Sequence, residues 1–248
     1  MKFFCVVPFY NEQQYLENCV LSLLSQTDTD FTLILVDNAS TDESVAIVKS
    51  LLKSQKALHW EVITEKVKGT GSAVDTGFRY AIKSGATHIL RTDADCVAQS
   101  DWVAQARGAV TNDDVLLLGK PGYQKQDGLA RWYDPFMFWF AVQMSQLHGR
   151  LFIRSKEYKG RHVLGAGNNM LISSSLYLRS GGFPRLPLET QDDDVALFDA
   201  VRRITPHIFR VDTMKSGASL RRIRKHGYLK TMLYYWNRKY TPSVVDIR

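Results

Sequence analysis

Two carboxylates separated by a single residue form the sharpest chemical signal in this sequence. Asp93 and Asp95 follow the apolar run 87–90, which has the pattern of a strand buried on both faces. Carboxylates in that position suit Mg²⁺ or Mn²⁺, because these ions take a few carboxylate oxygens and leave other positions to phosphate oxygens and water. The alternative is a pair of solvated turn carboxylates, since the D-x-D spacing is common by itself.

Polar residues also close a second predicted strand, over 31–36. Asp37 could accept hydrogen bonds from a base N–H or a ribose hydroxyl; alternatively it forms an Asx turn and Asp42 caps the next helix. The glycine-rich segment 69–77 lacks the spacing of a dinucleotide-binding fingerprint, because Val74 stands where the last glycine would be. We interpret it as a turn into a helix whose small residues allow close packing; the alternative is that it lines a site.

An acidic run and a basic run lie in the second half of the chain. Asp192, Asp193 and Asp194 lead into a predicted helix over 195–204, where the helix dipole favours carboxylates. Three in a row exceed what a cap requires, so mutual repulsion could raise a pKa towards that of a general base. The segment 219–226 carries an arginine cluster suited to phosphates. Its alternatives are a solvated basic tail or a surface that meets anionic lipid.

The elements that must position these clusters alternate between strand and helix. The periodicity predicts strands over 3–7, 31–36, 59–64 and 87–91, and helices over 15–24, 45–52 and 72–83. Such alternation implies a parallel sheet with helices on both faces, and ligands beyond the carboxyl ends of the strands. Asn11 is predicted as the N-cap of the first helix. For the less regular second half we predict an aromatic helix over 129–147, a basic loop over 154–161, and a turn after Gly165 that leads into an apolar strand ending at 173.

Composition and charge bound the class of protein. The 248 residues suit one domain with a modest appendage, and 45% hydrophobic residues argue against disorder and against a small disulfide scaffold. Three cysteines without C-x-x-C spacing favour a reducing compartment over disulfides or structural zinc. The charge is concentrated at one end: residues 215–248 hold nine Lys and Arg against one Asp, a net charge of +8.

The most apolar window, 132–147, is interrupted by Asp134 and Pro135, so we predict no membrane span. The apolar run 3–10 is short and contains Pro8, so we do not expect it to be the core of a signal peptide. These features favour a cytoplasmic protein, with peripheral contact at the inner face of a membrane left open. Five residues of the tail recur at helical spacing, namely Tyr228, Leu229, Met232, Leu233 and Trp236. That spacing is typical of an interfacial helix, of a core helix or of a dimer contact.

Together these clusters resemble the family-2 glycosyltransferases of the GT-A fold. The resemblance covers about residues 3–225, and the segments that carry it, besides Asp93-Ala94-Asp95, are 6–12, 36–42, 71–77, 165–169 and 181–184. Two departures stand out: Asp75 replaces a common Asn, and Gln191-Asp192 replaces a common Glu-Asp. The resemblance implies an α/β fold with a Rossmann-like, mostly parallel sheet, helices on both faces and a basic helical C-terminal tail.

The same resemblance implies a division of the chain and a set of roles. Residues 1–214 would form the GT-A domain, with a nucleotide-binding half to about 100 and an acceptor half from about 101, and 215–248 an extension. The residues expected to bind the nucleotide are Pro8, Tyr10, Glu12, Asp37, Asp93, Arg221 and Arg222, with Asp37 on the base, usually uracil. Asp95 is the expected direct metal ligand, assisted by Asp93. Asp192 is the expected catalytic base and Asp193 the second choice.

The predicted function is that of an inverting glycosyltransferase. It would use Mn²⁺ or Mg²⁺ and move a sugar from a nucleoside diphosphate, UDP first, to a hydroxyl of a saccharide, lipid-linked or small-molecule acceptor. Glycan, polysaccharide or glycolipid synthesis is the expected setting; a homodimer is left open, and nucleic acid is not an expected partner. The alternatives are a nucleotidyltransferase, which would not need the acidic motif near 192, and a non-catalytic nucleotide-binding or membrane-associated scaffold.

Overall fold

The computed structural model describes residues 1–53, 55, 58–125, 128–153, 155–160, 162–185 and 193–237. The strands are β1 (Phe3–Phe9), β2 (Phe31–Asp37), β3 (His59–Thr64), β4 (His88–Thr92), β5 (Cys96–Ala98), β6 (Leu116–Tyr123), β7 (Asn169–Ser173) and β8 (Ile208–Ala218). The helices are α1 (Leu16–Leu24), α2 (Ser44–Leu52), α3 (Thr70–Lys83), α4 (Trp102–Gly108), α5 (Asp134–Phe152), α6 (Ser174–Arg179), α7 (Asp193–Ile204), α8 (Arg221–His226) and α9 (Tyr228–Asn237). Across these residues the strands form one eight-stranded sheet in the order β3-β2-β1-β4-β7-β6-β8-β5.

The first half of the chain forms the parallel part of this sheet. β1 pairs in parallel with β2 and β4, and β2 with β3. Successive residues of β1 point to opposite faces, so Cys5 packs in the core under α1 and α2 while Val6 packs in the core under α3. The predicted parallel sheet with helices on both faces is confirmed.

The predicted N-cap of the first helix is wrong. α1 begins at Leu16, and Asn11 has a φ of 52°, a left-handed conformation that a short polar side chain tolerates better than most. The Asn11 side-chain oxygen accepts a hydrogen bond from the backbone N–H of Thr41 at 2.8 Å. Asn11 therefore joins the loop after β1 to the loop after β2 instead of capping a helix.

The second half adds a mixed set of strands to the edge of the parallel sheet. β7 runs antiparallel between β4 and β6, and β8 pairs in parallel with β6 and antiparallel with β5. The predicted aromatic helix is present as α5, which begins at Asp134 with Pro135 in its first turn, as proline favours. The strand expected after Gly165 is β7, and the helix expected over 195–204 is α7. The predicted basic loop 154–161 lies partly outside the described residues.

The predicted boundary between residues 214 and 215 falls inside β8, whose last residues pair with β5 and β6. The basic tail is helical as predicted, over α8 and α9, and residues 238–248 lie outside the described part of the chain. α9 packs on α5, where the Tyr228 hydroxyl donates a hydrogen bond to the buried Asp134 carboxylate at 2.9 Å. Among the described helices none combines the length and the apolar character needed to traverse a bilayer.

Candidate active site

A cleft of about 520 Å³ opens where the first and second halves of the chain meet. The carboxyl ends of β1 and β4 form part of its wall, as expected for ligand sites of open α/β sheets. Among the residues that were given a binding, metal or catalytic role from the sequence, those that line the cleft are Pro8, Tyr10, Glu12, Asp93, Asp95, Asp193, Arg221 and Arg222. The fold thus brings together side chains that are up to about two hundred residues apart in the sequence.

Asp37 does not line this cleft. It lies buried at the end of β2, and its Oδ1 accepts a hydrogen bond from the backbone N–H of Ser40 at 2.9 Å. The next residue, Asn38, does line the cleft, and its side chain donates to the carbonyls of Glu65 and Val67. The turn geometry of Asp37 matches the structural alternative, and its contact with a nucleotide base stays a prediction.

Tyr10 stands on the cleft wall just after β1. Its hydroxyl accepts a hydrogen bond from the ammonium group of Lys68 at 3.3 Å, and that ammonium lies 5.1 Å from the centre of the Tyr10 ring. Lys68 precedes the glycine-rich turn into α3, so it was not recognisable as a site residue from its own surroundings in the sequence. The pair places a cation and an aromatic face beside the cleft.

Arg91 links the D-x-D segment to the acidic motif, in a group we call the Arg91 cluster (Arg91, Asp93 and Asp194). Its guanidinium donates to Asp93 Oδ1 at 3.0 Å and to Asp194 Oδ1 at 2.7 Å, with only 3% of the side chain exposed. Burial opposes the positive charge of Arg91, but the two carboxylates raise its pKa above the ordinary value. Burial raises the pKa of Asp93; Arg91 lowers it, and the Asp194 and Asp95 carboxylates raise it further.

Arg221 makes a second linkage, which we call the Arg221 cluster (Arg221, Glu12 and Asp95). Its two terminal nitrogens donate to the Glu12 carboxylate at 2.8 and 2.6 Å, and one of them lies 3.2 Å from Asp95 Oδ2. Burial opposes the charge of Arg221, while its hydrogen bond to Glu12 and the nearby Asp95 raise its pKa. The C-terminal segment is thereby tied to the loop after β1 and to the D-x-D segment.

The acidic motif meets both glycine-rich segments at the start of α7. Asp193 Oδ2 accepts a hydrogen bond from the backbone N–H of Gly71 at 2.8 Å, and Asp194 Oδ2 accepts one from Gly167 at 2.9 Å. A Cβ at Gly71 would lie 2.7 Å from Asp193 Cγ, so glycine is needed for this approach. Asp192 lies outside the described residues.

Sequence reasoning assigned no role of their own to two members of this arrangement, Arg91 and Asp194, although Asp194 was recognised as part of the acidic run. Each left a signal: Arg91 is a charged residue inside an apolar strand directly before the D-x-D, and Asp194 is the third aspartate of the acidic run. A charge inside a buried strand requires a partner, but the sequence does not say which one. The partner is 103 residues away, and only the folded chain identifies it.

The carboxylates of the D-x-D segment suit a divalent cation that is shared with phosphate oxygens. Within the described residues no group of three or more His, Cys, Asp or Glu side chains is arranged to hold a metal ion. Mg²⁺ and Mn²⁺ sites that include a diphosphate need only one or two carboxylates. Asp95, whose side chain is one-fifth exposed in the cleft wall, meets that requirement, and Asp93 is held beside it by Arg91.

The family model of glycosyl transferase family 2 matches residues 4–177, and the chain belongs to this family. It is 30% identical over 130 residues to an uncharacterized glycosyltransferase, EpsJ, of Bacillus subtilis, covering 52% of this chain and 36% of that protein. It is 36% identical over 97 residues to a chondroitin synthase of Escherichia coli, covering 39% of this chain and 13% of that one. The chain thus spans well under half the length of these curated relatives.

Solved structures of glycosyltransferases share the fold. Mannosyltransferase PcManGT from Pyrobaculum calidifontis, in complex with GDP-Man and Mn²⁺, superposes with a TM-score of 0.66 at 18% identity over 97% of this chain and 66% of that one. TarS of S. aureus, in complex with UDP-GlcNAc, superposes with a TM-score of 0.63 at 18% identity over 88% of this chain and 58% of that one. The chain therefore combines membership of glycosyl transferase family 2 with the GT-A fold of these structures.

Proposed function

We propose that this glycosyltransferase moves a sugar from a nucleoside diphosphate, UDP first among the candidates, to an acceptor hydroxyl with inversion at the anomeric carbon. The observation that carries the proposal is the convergence of the Arg91 cluster, the Arg221 cluster and the start of α7 on one cleft. The solved complexes of TarS with UDP-GlcNAc and of PcManGT with GDP-Man support a nucleotide-sugar donor. The acceptor is a saccharide, a lipid-linked molecule or a small molecule.

In this proposal the first half of the chain and α8 hold the donor. Pro8, Tyr10 and Glu12 border the nucleotide, and Asp37 meets its base from the end of β2. Arg221 and Arg222 face the diphosphate, because guanidinium groups bind phosphate oxygens in a two-pronged geometry. When the donor binds, the Arg221 guanidinium would exchange at least part of its contact with the Asp95 carboxylate for a contact with the diphosphate.

Asp95 would hold Mn²⁺ or Mg²⁺ and Asp93 would support it, and that cation, when bound, neutralises charge that develops on the leaving diphosphate. The solved structures of PcManGT and of GalNAc-T7 contain Mn²⁺, which supports a divalent metal here. Arg91 keeps the Asp93 carboxylate in place, since the Arg91 guanidinium is buried between Asp93 and Asp194.

The reaction needs a base for the acceptor proton. The acceptor oxygen would attack the anomeric carbon from the face opposite the diphosphate, and the bond to the diphosphate would break with its electron pair on the leaving oxygen. A carboxylate of the acidic motif would take the acceptor proton. Of the predicted candidates, Asp192 lies outside the described residues, and Asp193 lines the cleft, as does its neighbour Asp194. Each of these two carboxylates accepts a hydrogen bond from a backbone N–H, of Gly71 and Gly167 respectively. We place the base on Asp194, because the Arg91 guanidinium links it to Asp93 on the donor side of the cleft and 28% of its side chain is exposed.

A donor screen tests the proposal. The protein is incubated with UDP-, GDP- and dTDP-sugars and Mn²⁺ or Mg²⁺, and nucleoside diphosphate release is followed with and without simple saccharide acceptors. We expect one nucleotide class to be consumed, turnover to stop when the metal is chelated, and the product to have the anomeric configuration opposite to that of the donor by NMR. Retained configuration, or turnover that chelation does not affect, would contradict it. A cytoplasmic location, a homodimer and a role in glycan or glycolipid synthesis stay predictions.

A further inference from the structure

A row of large apolar side chains lies exposed along the outer side of α5. Elsewhere such side chains are mostly buried in the two cores on either face of the sheet. Trp132, just before the helix, is 91% exposed, and Phe136 and Phe152 are 65% and 72% exposed. The remaining members of the row are Trp139, Phe140, Leu147 and Leu151. Contiguous apolar exposure on this scale indicates an interaction surface rather than chance exposure.

Helix α9 extends this row sideways. The Arg224 guanidinium and the Tyr228 hydroxyl both bind the Asp134 carboxylate at the start of α5, and this holds α9 alongside. Leu229 and Leu233, one helical turn apart, are exposed on α9. We call the exposed apolar residues of both helices, together with Trp132, the α5–α9 surface.

The exposed charges on the segments that carry the α5–α9 surface have one sign. Over the described residues 128–153 and 219–237 the sequence contains a single carboxylic acid, Asp134, and its side chain is buried against Arg224 and Tyr228. Four basic side chains on the same segments are exposed, namely Arg131, Arg150, Lys225 and Lys230. The surface is therefore apolar with a basic border and has no exposed carboxylate of its own.

We propose that the α5–α9 surface docks in the plane of an anionic lipid bilayer. Helices that lie in the membrane interface have this composition, with tryptophan and phenylalanine side chains on one face and lysine and arginine at the border. A second copy of this chain is a poorer occupant, because packing the surface on itself would bring equal positive charges together with no exposed carboxylate to offset them. The row on α5 is the centre of the surface, whereas the tail alone was the interfacial element considered from the sequence.

Docking in this way would set the cleft beside the lipid. The inward side of α5 lines the cleft through Phe138, Val142, Ser145 and His148. One helix thus separates the exposed apolar row from the site. A lipid-linked acceptor could then reach the cleft without leaving the interface, and this last step alone rests on the proposed function.

The test is flotation of the full 248-residue chain with phosphatidylcholine vesicles that contain or lack phosphatidylglycerol. We expect binding to the anionic vesicles, weakened by high salt, and a blue shift of tryptophan emission. The double variant Phe136→Ser/Trp139→Ser should lower the partition coefficient by roughly a hundredfold, because each aromatic side chain that leaves water contributes about a factor of ten. Lys225→Gln/Lys230→Gln should lower it by roughly fivefold per lysine on anionic vesicles only.

The matched control is Leu21→Ser/Leu178→Ser, which removes two similarly exposed apolar side chains on α1 and α6. It should leave flotation unchanged. Unaltered flotation of the Phe136/Trp139 variant, or absence of vesicle binding together with a dimer that this variant dissociates in sedimentation equilibrium, would overturn the proposal. Donor affinity, measured by calorimetry, should be the same in all these variants, which separates this test from that of the proposed function.

Discussion

The Arg91 and Arg221 clusters form similar arginine–carboxylate ion pairs in different surroundings. Each arginine joins one carboxylate of the D-x-D segment to a carboxylate from a distant part of the chain. Arg91 comes from the middle of the sheet and is 3% exposed, whereas Arg221 is the first residue of a six-residue helix and is 17% exposed. A buried arginine between two carboxylates cannot leave without exposing uncompensated charge, so Arg91 is a fixed part of the scaffold.

Arg221 has more freedom. It reaches the site from α8, outside the sheet, and it lies on the cleft wall, where a phosphate could replace the carboxylates as its partner. The difference teaches that two ion pairs with similar distances need not have similar roles. Burial and the element that carries the arginine decide which pair holds the fold and which is available to a ligand. Four substitutions separate these roles.

The largest effect is expected at the acidic motif, on the Arg91 side. Asp194→Asn keeps the shape of the side chain and removes its basicity, so turnover should fall by about 10²–10⁴-fold. Donor affinity by calorimetry should change little. Asp192→Asn and Asp193→Asn are the comparisons, and a comparable loss in one of them with normal turnover of Asp194→Asn would move the base to that residue.

Loss of Arg91 should mainly cost stability. Arg91→Met leaves Asp93 and Asp194 without their shared partner, and breaking a buried pair in this way costs about 3–5 kcal/mol of unfolding free energy. Urea denaturation followed by circular dichroism measures it. Arg203→Met removes an ion pair whose two side chains are about half exposed or more, and should cost about 0–1 kcal/mol. Equal losses in the two variants would show that Arg91 is not a special part of the scaffold.

On the Arg221 side, Asp95→Asn should act on ligand binding. Removal of a hard anionic ligand should weaken metal-dependent donor binding by on the order of a hundredfold, more than the loss typical of an outer-shell partner. Calorimetry with UDP and Mn²⁺ checks this, and UDP without metal is the control. Unchanged affinity in the presence of Mn²⁺ would remove Asp95 from the metal site.

The smallest effect is expected for Arg221→Lys. Lysine keeps the charge but loses the two-pronged geometry, so donor affinity should fall by roughly tenfold, in line with one hydrogen bond to a charged group. Arg210→Lys, whose partner is the exposed Asp212, is the control and should leave donor affinity unchanged. If Arg221→Lys binds donor normally but unfolds as easily as Arg91→Met, the two clusters do not differ in the way we infer.

The first half of the fold was predictable from sequence because its strands are buried on both faces. β1 and β2 are therefore almost continuous apolar runs, β4 is buried throughout its length, and the turns that follow these strands carry the polar residues of the site. The N-cap of α1 was the exception, because Asn11 accepts a hydrogen bond from Thr41 and no local sequence pattern indicates that contact.

The second half lacked such signals. β5 has three residues, β6 contains Pro121 and two glycines, and β8 mixes buried and exposed positions without strict alternation. Proline in a strand is tolerated at an irregularity, and β6 has one between Gly119 and Lys120. These strands are stabilised by neighbours that are distant in the sequence, so local pattern does not reveal them.

The sequence by itself determined the class of chemistry: the D-x-D, the acidic run and the arginine cluster are local patterns whose residue types already favour a cation, a base and phosphates. Only the tertiary structure decided which charges meet. Arg91 selects Asp194 and Arg221 selects Glu12 across 103 and 209 residues. Ion pairs of this kind form because the sheet and its helices place the partners together. The sequence around a charged residue does not indicate which distant residue will neutralise it.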